Sequence, residues 1–235
     1  MTKGSINSIE SMGLVDGPGV RCVVFLNGCG KRCLYCHNPE MWEKKENNIT
    51  PLKLVEKIKR FKPYFKNGGG VTFSGGEALL QPKFLIETMR LLKEEKIHIA
   101  LDTAGTISKY NEEILKLTDL VLLDIKHVEK NSYKTLTGRN IKEQEEFIPL
   151  LNKFNKDVWI RQVITPGITD SKEYVEKLKK YLNKINNIKK VEFLPYHKMG
   201  ISKYEKLGIF YPLRDTQEMK KEDCDKLYEY FLSCN

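Results

Sequence analysis

Short apolar runs rich in β-branched residues recur along the chain, and each gives way to a longer stretch where apolar residues return every three to four positions. The runs at 20–26 (VRCVVFL), 71–74 (VTFS), 97–102 (IHIALD), 119–124 (DLVLLD), 158–164 (VWIRQVI) and 190–195 (KVEFLP) predict strands. The longer stretches predict helices near 51–65, 82–95, 108–117, 141–155, 171–185 and 216–232. Thr50-Pro51, Gln81-Pro82 and Asp170-Ser171 suit helix starts, because a polar cap or a first-turn proline satisfies or removes an orphan backbone donor.

Strand and helix in strict alternation imply βα units on a parallel sheet. Six units fall two short of a closed eight-unit barrel, so the expected class is α/β with an open, partial (β/α)6 barrel; a doubly wound sheet is the alternative. Either architecture places its site at the C-terminal ends of the strands. Every unusual residue group follows a predicted strand: NGCGKRCLYCH, SGGE, DTAG, DIK, TPG and PYH. No composition shift marks a boundary, so residues 1–235 are expected to form a single domain. The glycine run at 67–70 (NGGG) reads as turn chemistry before a strand.

Hydrophobic residues make up 40% of the 235, and charged residues 30%. That balance is ordinary for a globular chain that can enclose a core. The formal net charge of +9 comes from lysines mixed into helical stretches such as KLVEKIKR, not from one basic block. A solvated surface is therefore expected rather than a nucleic-acid partner, with a face that steers an acidic protein as the weaker reading. No apolar run approaches the roughly 20 residues that span a bilayer, and the first residues lack an apolar secretory core. A cytoplasmic protein without a membrane partner is expected.

Cys29, Cys33 and Cys36 fall within eight residues, which is unlike a disulfide framework. Cys22, inside an apolar run, reads as a small buried hydrophobe, and Cys224 and Cys234 carry no assigned role. A structural zinc site takes four protein ligands, usually as two spaced pairs, and no second pair exists. His37 is too close in sequence to Cys36 to complete a tetrahedron easily. Three thiolates on a cubane cluster instead leave one iron open to a ligand.

The segment CGKRCLYCHNPE resembles the CxxxCxφC loop of radical S-adenosylmethionine (SAM) enzymes, with Tyr35 as the aromatic residue. DGPGVR, GGGVTFSGGEALLQ, LDTAG, LLDIK, WIRQVITPG and LPYH resemble the pyruvate formate-lyase activating enzymes in order and spacing, from about residue 5 to 232. Related activases often carry an inserted cysteine-rich, ferredoxin-like segment after the loop. The stretch from His37 to Thr50 contains no cysteine, which favours the formate-lyase branch.

The resemblance implies a 4Fe-4S cluster on Cys29, Cys33 and Cys36, reductive cleavage of SAM at its open iron, and hydrogen abstraction from a glycine of a partner enzyme. It implies that Tyr35, Cys36, His37, Gly75, Gly76, Glu77, Asp124, Ile125, Lys126 and His197 bind SAM. Within that set the two glycines admit backbone to the methionine end, Glu77 receives its ammonium, and Tyr35 lies against adenine. Asp102 and Thr103, with Asp124, are the implied ligands of a monovalent cation. Asp16, Arg161 and His197 are the implied contacts of the substrate loop. Plainer readings stand beside these: Asp124 and Lys126 share a strand face and can form an ion pair, Asp16 can make an Asx-turn before Gly17, and a lone histidine is usually structural. His98 and His127 read as surface or capping residues. DTAG stands where relatives often have DTNG, so any role for that asparagine is absent.

The partners implied are a glycyl-radical enzyme of the pyruvate formate-lyase type and a flavodoxin or ferredoxin-like reductant, with the activase itself a monomer. Competing readings are a radical SAM enzyme acting on a small molecule or on a different glycyl-radical enzyme, and an iron–sulfur electron carrier. A carrier needs four thiolates and none of the GGE, DIK and PYH groups.

Overall fold

The computed structural model describes residues 2–234; Met1 and Asn235, the ends of the expected domain, lie outside the described residues. The chain opens with β1 (Ile6–Gly13), turns into β2 (Arg21–Leu26), and reaches α1 (Pro51–Lys59) after the cysteine segment. Then come β3 (Gly70–Gly75), α2 (Pro82–Glu94), β4 (His98–Thr103), α3 (Asn111–Leu117) and β5 (Leu120–Asp124). The second half holds α4 (Lys130–Thr137), α5 (Lys142–Lys153), β6 (Asp157–Ile164), α6 (Lys172–Leu182), β7 (Ile188–Pro195), α7 (Ile201–Leu207) and α8 (Lys221–Ser233).

The seven strands form one sheet in sequence order; β2 to β7 are parallel and β1 lies antiparallel on the outside of β2. A doubly wound sheet would reverse direction partway, so that alternative is corrected. No pairing joins β7 to β1 among the described residues, which leaves an open barrel of six parallel strands with an added edge strand. β1 escaped the pattern reading because INSIESMG is mostly polar, with Ser8, Glu10 and Met12 exposed at the sheet edge.

Helix ends depart from expectation where local chemistry competes. The first helix stops at Lys59 and resumes as a 3₁₀ turn over Lys62–Tyr64, because Pro63 lacks an N–H and restricts its neighbour. α3 starts late because Asn111 Oδ1 captures the Ser108 N–H at 2.6 Å and the Ser108 hydroxyl at 2.7 Å. Thr50 and Ser171 do cap α1 and α6, accepting from Lys53 N and Tyr174 N. α4 and α7 are short helices that the periodicity missed, each ended by a glycine in the left-handed region. The glycine run is a turn with Asn67 and Gly68 at positive φ, although Gly70 already belongs to β3.

Strand alternation sets where the site lies. Val71, Phe73, Ile99, Leu101, Val121, Leu123, Val158 and Ile160 point outward into the main core beneath the helices. The opposite face lines the barrel interior. Ala100, Leu120, Leu122 and Trp159 make a small apolar cluster there. One or two steps further along the same strand faces come Asp102, Asp124 and Arg161, with Asp124 and Arg161 directly paired in register. The interior therefore runs from an apolar floor to a charged top.

Candidate active site

The cysteine segment leaves β2 and is fixed by backbone bonds on several sides. Gly28 N donates to Met41 O and Cys29 N to Trp42 O at 2.8 and 2.9 Å; Arg32 N and Leu34 N donate to Thr137 O and Leu136 O at the end of α4. Glu77 N donates to Gly28 O at 2.8 Å. A Cβ on Gly76 would stand 2.4 Å from Gly28 O, and one on Gly75, where φ is +117°, 2.2 Å from Leu26 N. Both glycines thus permit the cysteine loop and β2 to pass close to the end of β3. This packing requirement was not visible in the bare GGE tripeptide.

Cys29, Cys33 and Cys36 are free thiols on a cavity of about 370 Å³, within the usual size range of ligand pockets. Tyr35, His37, Gly75, Gly76 and Glu77 line it on the cysteine-loop side. Asp102, Thr103, Asp124, Lys126, Arg161 and Asp16 line it from the strands and the β1–β2 connection. Two expected residues stay outside the lining. Ile125 falls on the outward strand face and is buried in the main core. His197 stacks on His37, ring centroids 4.1 Å apart, and its backbone oxygen lies 2.9 Å from His37 Nε2.

The charged groups form one network. Lys126 Nζ donates to Asp124 Oδ2 at 2.9 Å, so the plain ion pair is present and also faces the cavity. Arg161 donates to Asp124 Oδ1 at 3.3 Å and to Asp102 Oδ1, and lies 4.0 Å from Asp16. Ser74 Oγ donates to Asp102 Oδ2 at 2.5 Å. Burial by itself would raise the Asp124 carboxyl, but the Lys126 and Arg161 charges outweigh it and hold the group below the usual carboxylate range. Burial would likewise lower Lys126 and Arg161, yet their carboxylate partners hold both above their ordinary values. Burial raises Asp16, with Arg161 pulling the other way.

Glu77 is buried and nearly saturated. Its carboxylate accepts from Thr103 Oγ1 at 2.7 Å, Ala104 N at 3.2 Å, Thr106 Oγ1 at 3.3 Å and Leu79 N at 3.3 Å. Thr103, expected beside a cation, gives its hydroxyl to Glu77, while Asp102 and Asp124 share the Arg161 guanidinium.

The donor set fits an iron–sulfur cluster. Burial pushes the Cys33 thiol up to about 11 and raises Cys29 as well, and metal ligation would draw such thiols out as thiolates. Among the described residues no three His, Cys, Asp or Glu side chains converge closely enough for a single metal ion. Thiols spread around a cavity suit a cubane. Tyr35 Oη is buried without a partner beside that cavity, and Lys126 Nζ stands 5.6 Å from the Tyr35 ring centroid. An orphaned hydroxyl of this kind calls for a ligand or a water.

The sequence motifs already contain Lys31 and Ser74, which carried no assigned role, and Thr106 stands one residue beyond LDTAG. The sequence reading also placed two histidines loosely. His98 Nδ1 lies 3.1 Å from the buried Arg21 guanidinium, and His127 is buried, its Nδ1 accepting from Glu129 N at 3.1 Å. His127 is therefore neither a surface residue nor the cap of α4, whose first flanking residue is Glu129. Cys22 and Cys224 are buried, remote from the cavity.

A sequence profile described as the Radical SAM superfamily matches residues 23–185. The chain is 55% identical over 232 residues to the pyruvate formate-lyase-activating enzyme of Clostridium pasteurianum, covering 98% of each chain. It is 42% identical over 240 residues to that of Staphylococcus epidermidis, covering 98% of this chain and 96% of the other. Among solved structures, a radical SAM methyltransferase from Sphaerobacter thermophilus superposes with a TM-score of 0.67 at 14% identity, over 99% of this chain and 75% of that one. A domain of a pyruvate-formate lyase-activating enzyme from Bacteroides vulgatus gives 0.57 at 21% identity, over 70% and 94%. The chain belongs to the radical SAM superfamily and, within it, to the pyruvate formate-lyase-activating enzymes. Membership brings SAM and an iron–sulfur cluster as cofactors and a glycyl-radical enzyme as partner.

Proposed function

We propose that this protein installs the glycyl radical of a pyruvate formate-lyase type enzyme, with Cys29, Cys33 and Cys36 holding a 4Fe-4S cluster. The observation that carries this reading is one cavity shared by three free thiols, a buried carboxylate and the Asp124–Lys126 pair, in a chain of this family. The cluster and SAM, when bound, supply the reductive cleavage and the hydrogen abstraction. The protein's own groups bind, orient and shield.

Glu77 and the Gly75-Gly76 backbone face the methionine end, and Lys126 with Asp124 and the Ile125 backbone face the ribose and carboxylate. Tyr35 offers its ring face to adenine, and the stacked His37 and His197 close the side of the site. Arg161, Asp16 and His197 meet the glycine-bearing loop, Arg161 through its fork of donors to backbone carbonyls. A monovalent cation at Asp102, Thr103 and Asp124 belongs to the same proposal and requires Arg161 to yield part of its hold on the two carboxylates. Among the described residues no helix is long and apolar enough to cross a membrane. We place the protein in the cytoplasm as a single-domain monomer, reduced by a flavodoxin or ferredoxin-like protein.

The test is an anaerobic EPR experiment on reconstituted protein mixed with SAM, reductant and the partner enzyme. A glycyl doublet that appears with one deoxyadenosine released per radical supports the activase. Deoxyadenosine without a doublet, with partner present and cluster intact, would move the small-molecule reading ahead.

A further inference from the structure

Lys31 lies between two of the three cysteines, yet its side chain turns inward: it is 4% exposed and lines the cavity with the thiols. Its ammonium reaches Thr106 Oγ1 at 3.1 Å and, more distantly, a Glu143 carboxylate oxygen at 3.8 Å. Glu143 is itself about half exposed, which weakens its compensation through solvent screening. An ammonium has three donors, and a buried cation with one hydroxyl and one distant carboxylate is short of negative charge.

The rest of the loop points the same way. Arg32 Nη1 takes the carbonyls of Cys29 and Lys31 at 2.7 and 2.8 Å, and Arg139 Nε takes the carbonyl of Gly30 at 2.5 Å. Its acceptors are drawn outward by guanidinium groups, and one backbone donor turns toward a thiol: the Asn38 N–H donates to Cys36 Sγ at 3.4 Å. Thr106 also donates to Glu77 Oε2 at 3.3 Å, so Lys31 joins the hydroxyl network that supports that carboxylate.

We propose that Lys31 is a positioning residue for charge: its buried ammonium raises the reduction potential of the cluster held by Cys29, Cys33 and Cys36 and so eases entry of the electron. This rests on the cluster reading above. Reduction adds one negative charge to the cluster, and a fixed cation in a low-dielectric wall favours the reduced form. Nothing is asked of Lys31 in binding the partner.

The experiment is an EPR-monitored redox titration, without SAM, of wild type, Lys31→Met, Lys31→Arg and Glu143→Gln, each with its iron content measured. Lys31→Met keeps the length and removes the charge; its reduced-to-oxidised ratio at a fixed potential should fall about tenfold, equivalent to about 59 mV for one electron. Lys31→Arg should stay within about twofold of wild type. Glu143→Gln removes opposing charge and should shift the ratio about two- to threefold upward. An unchanged ratio in Lys31→Met at full iron content overturns the proposal, as does an equal shift in Lys31→Met and Lys31→Arg, which would point to packing. If Lys31→Met fails to take up iron, Glu143→Gln decides by its direction, and no upward shift overturns the proposal. A wild type that binds no cluster would instead sink the cluster reading, and this inference with it.

Discussion

Cys33 shows how a single position separates the metal-bound state from the metal-free one. Its thiol is held neutral by burial, with a value pushed up to about 11, and it shares its cavity wall with two other free cysteines. Cys33→Ala leaves two thiolates, too few to retain a cubane, so reconstituted protein should lose most of its iron and its visible absorbance. Cys224→Ser should keep both, since that thiol is buried in α8, away from the cavity. Full iron retention in Cys33→Ala would end the ligand assignment. Lys126 is the second informative residue. It is paired with Asp124, which keeps Arg161 as a second partner when the lysine is removed. Lys126→Ala should therefore fold, hold its cluster and bind SAM about ten- to a hundredfold more weakly, the worth of a charged hydrogen bond of about 1.5–3 kcal/mol. Equal SAM affinity by equilibrium dialysis would return the pair to a purely structural role.

Elements explain why some of this was readable before any coordinates and some was not. β2 and β5 were legible because VRCVVFL and DLVLLD are buried almost throughout, between helices and barrel interior, so little but apolar residues can occupy them, whereas β6 shows the alternation of a strand half-buried on one face. β1 has one neighbour and partly exposed positions, so INSIESMG carries no such signature. The Asp124–Lys126 relation was legible because a strand repeats every second residue, and the same rule sends Ile125 to the core. The partners of Arg161 were not legible: they come from β4, β5 and the β1–β2 connection, which only the sheet register brings together. The glycines after β3 also show what sequence alone could not assign. Their need arises from Gly28 O and Leu26 N across the strand boundary, not from their own turn. Gly76→Ala places a methyl against backbone that cannot step aside. The expected result is a folded protein, by circular dichroism, whose cysteine loop is displaced and whose iron content after reconstitution falls by more than half. Normal iron uptake would show that the loop tolerates the extra atom.

Across the whole molecule, the barrel separates two tasks along one axis, with an apolar floor of Ala100, Leu120, Leu122 and Trp159 below the charged groups. Among the described residues β1 and β7 are not paired, so the sheet stays open along that side. Arg161 stands at the join, because its guanidinium touches Asp102 and Asp124 and approaches Asp16, all on the cavity wall. Arg161→Ala would strand buried carboxylates, a loss of roughly 3–5 kcal/mol that confuses folding with recognition. Arg161→Lys is the cleaner change: it keeps a cation for the carboxylates but loses the planar fork that can serve a carboxylate and a backbone carbonyl together. If a glycine-bearing loop docks here, a peptide of the partner's glycyl segment should bind Arg161→Lys at least tenfold more weakly than wild type. SAM affinity should change by less than about threefold, because Lys126 and Glu77 remain in place. Peptide and SAM binding would be measured on the same reconstituted samples, with the melting temperature as the check on folding. Equal weakening of both ligands would put Arg161 in the SAM site, and an unchanged peptide affinity would move the docking path away from this end of the barrel.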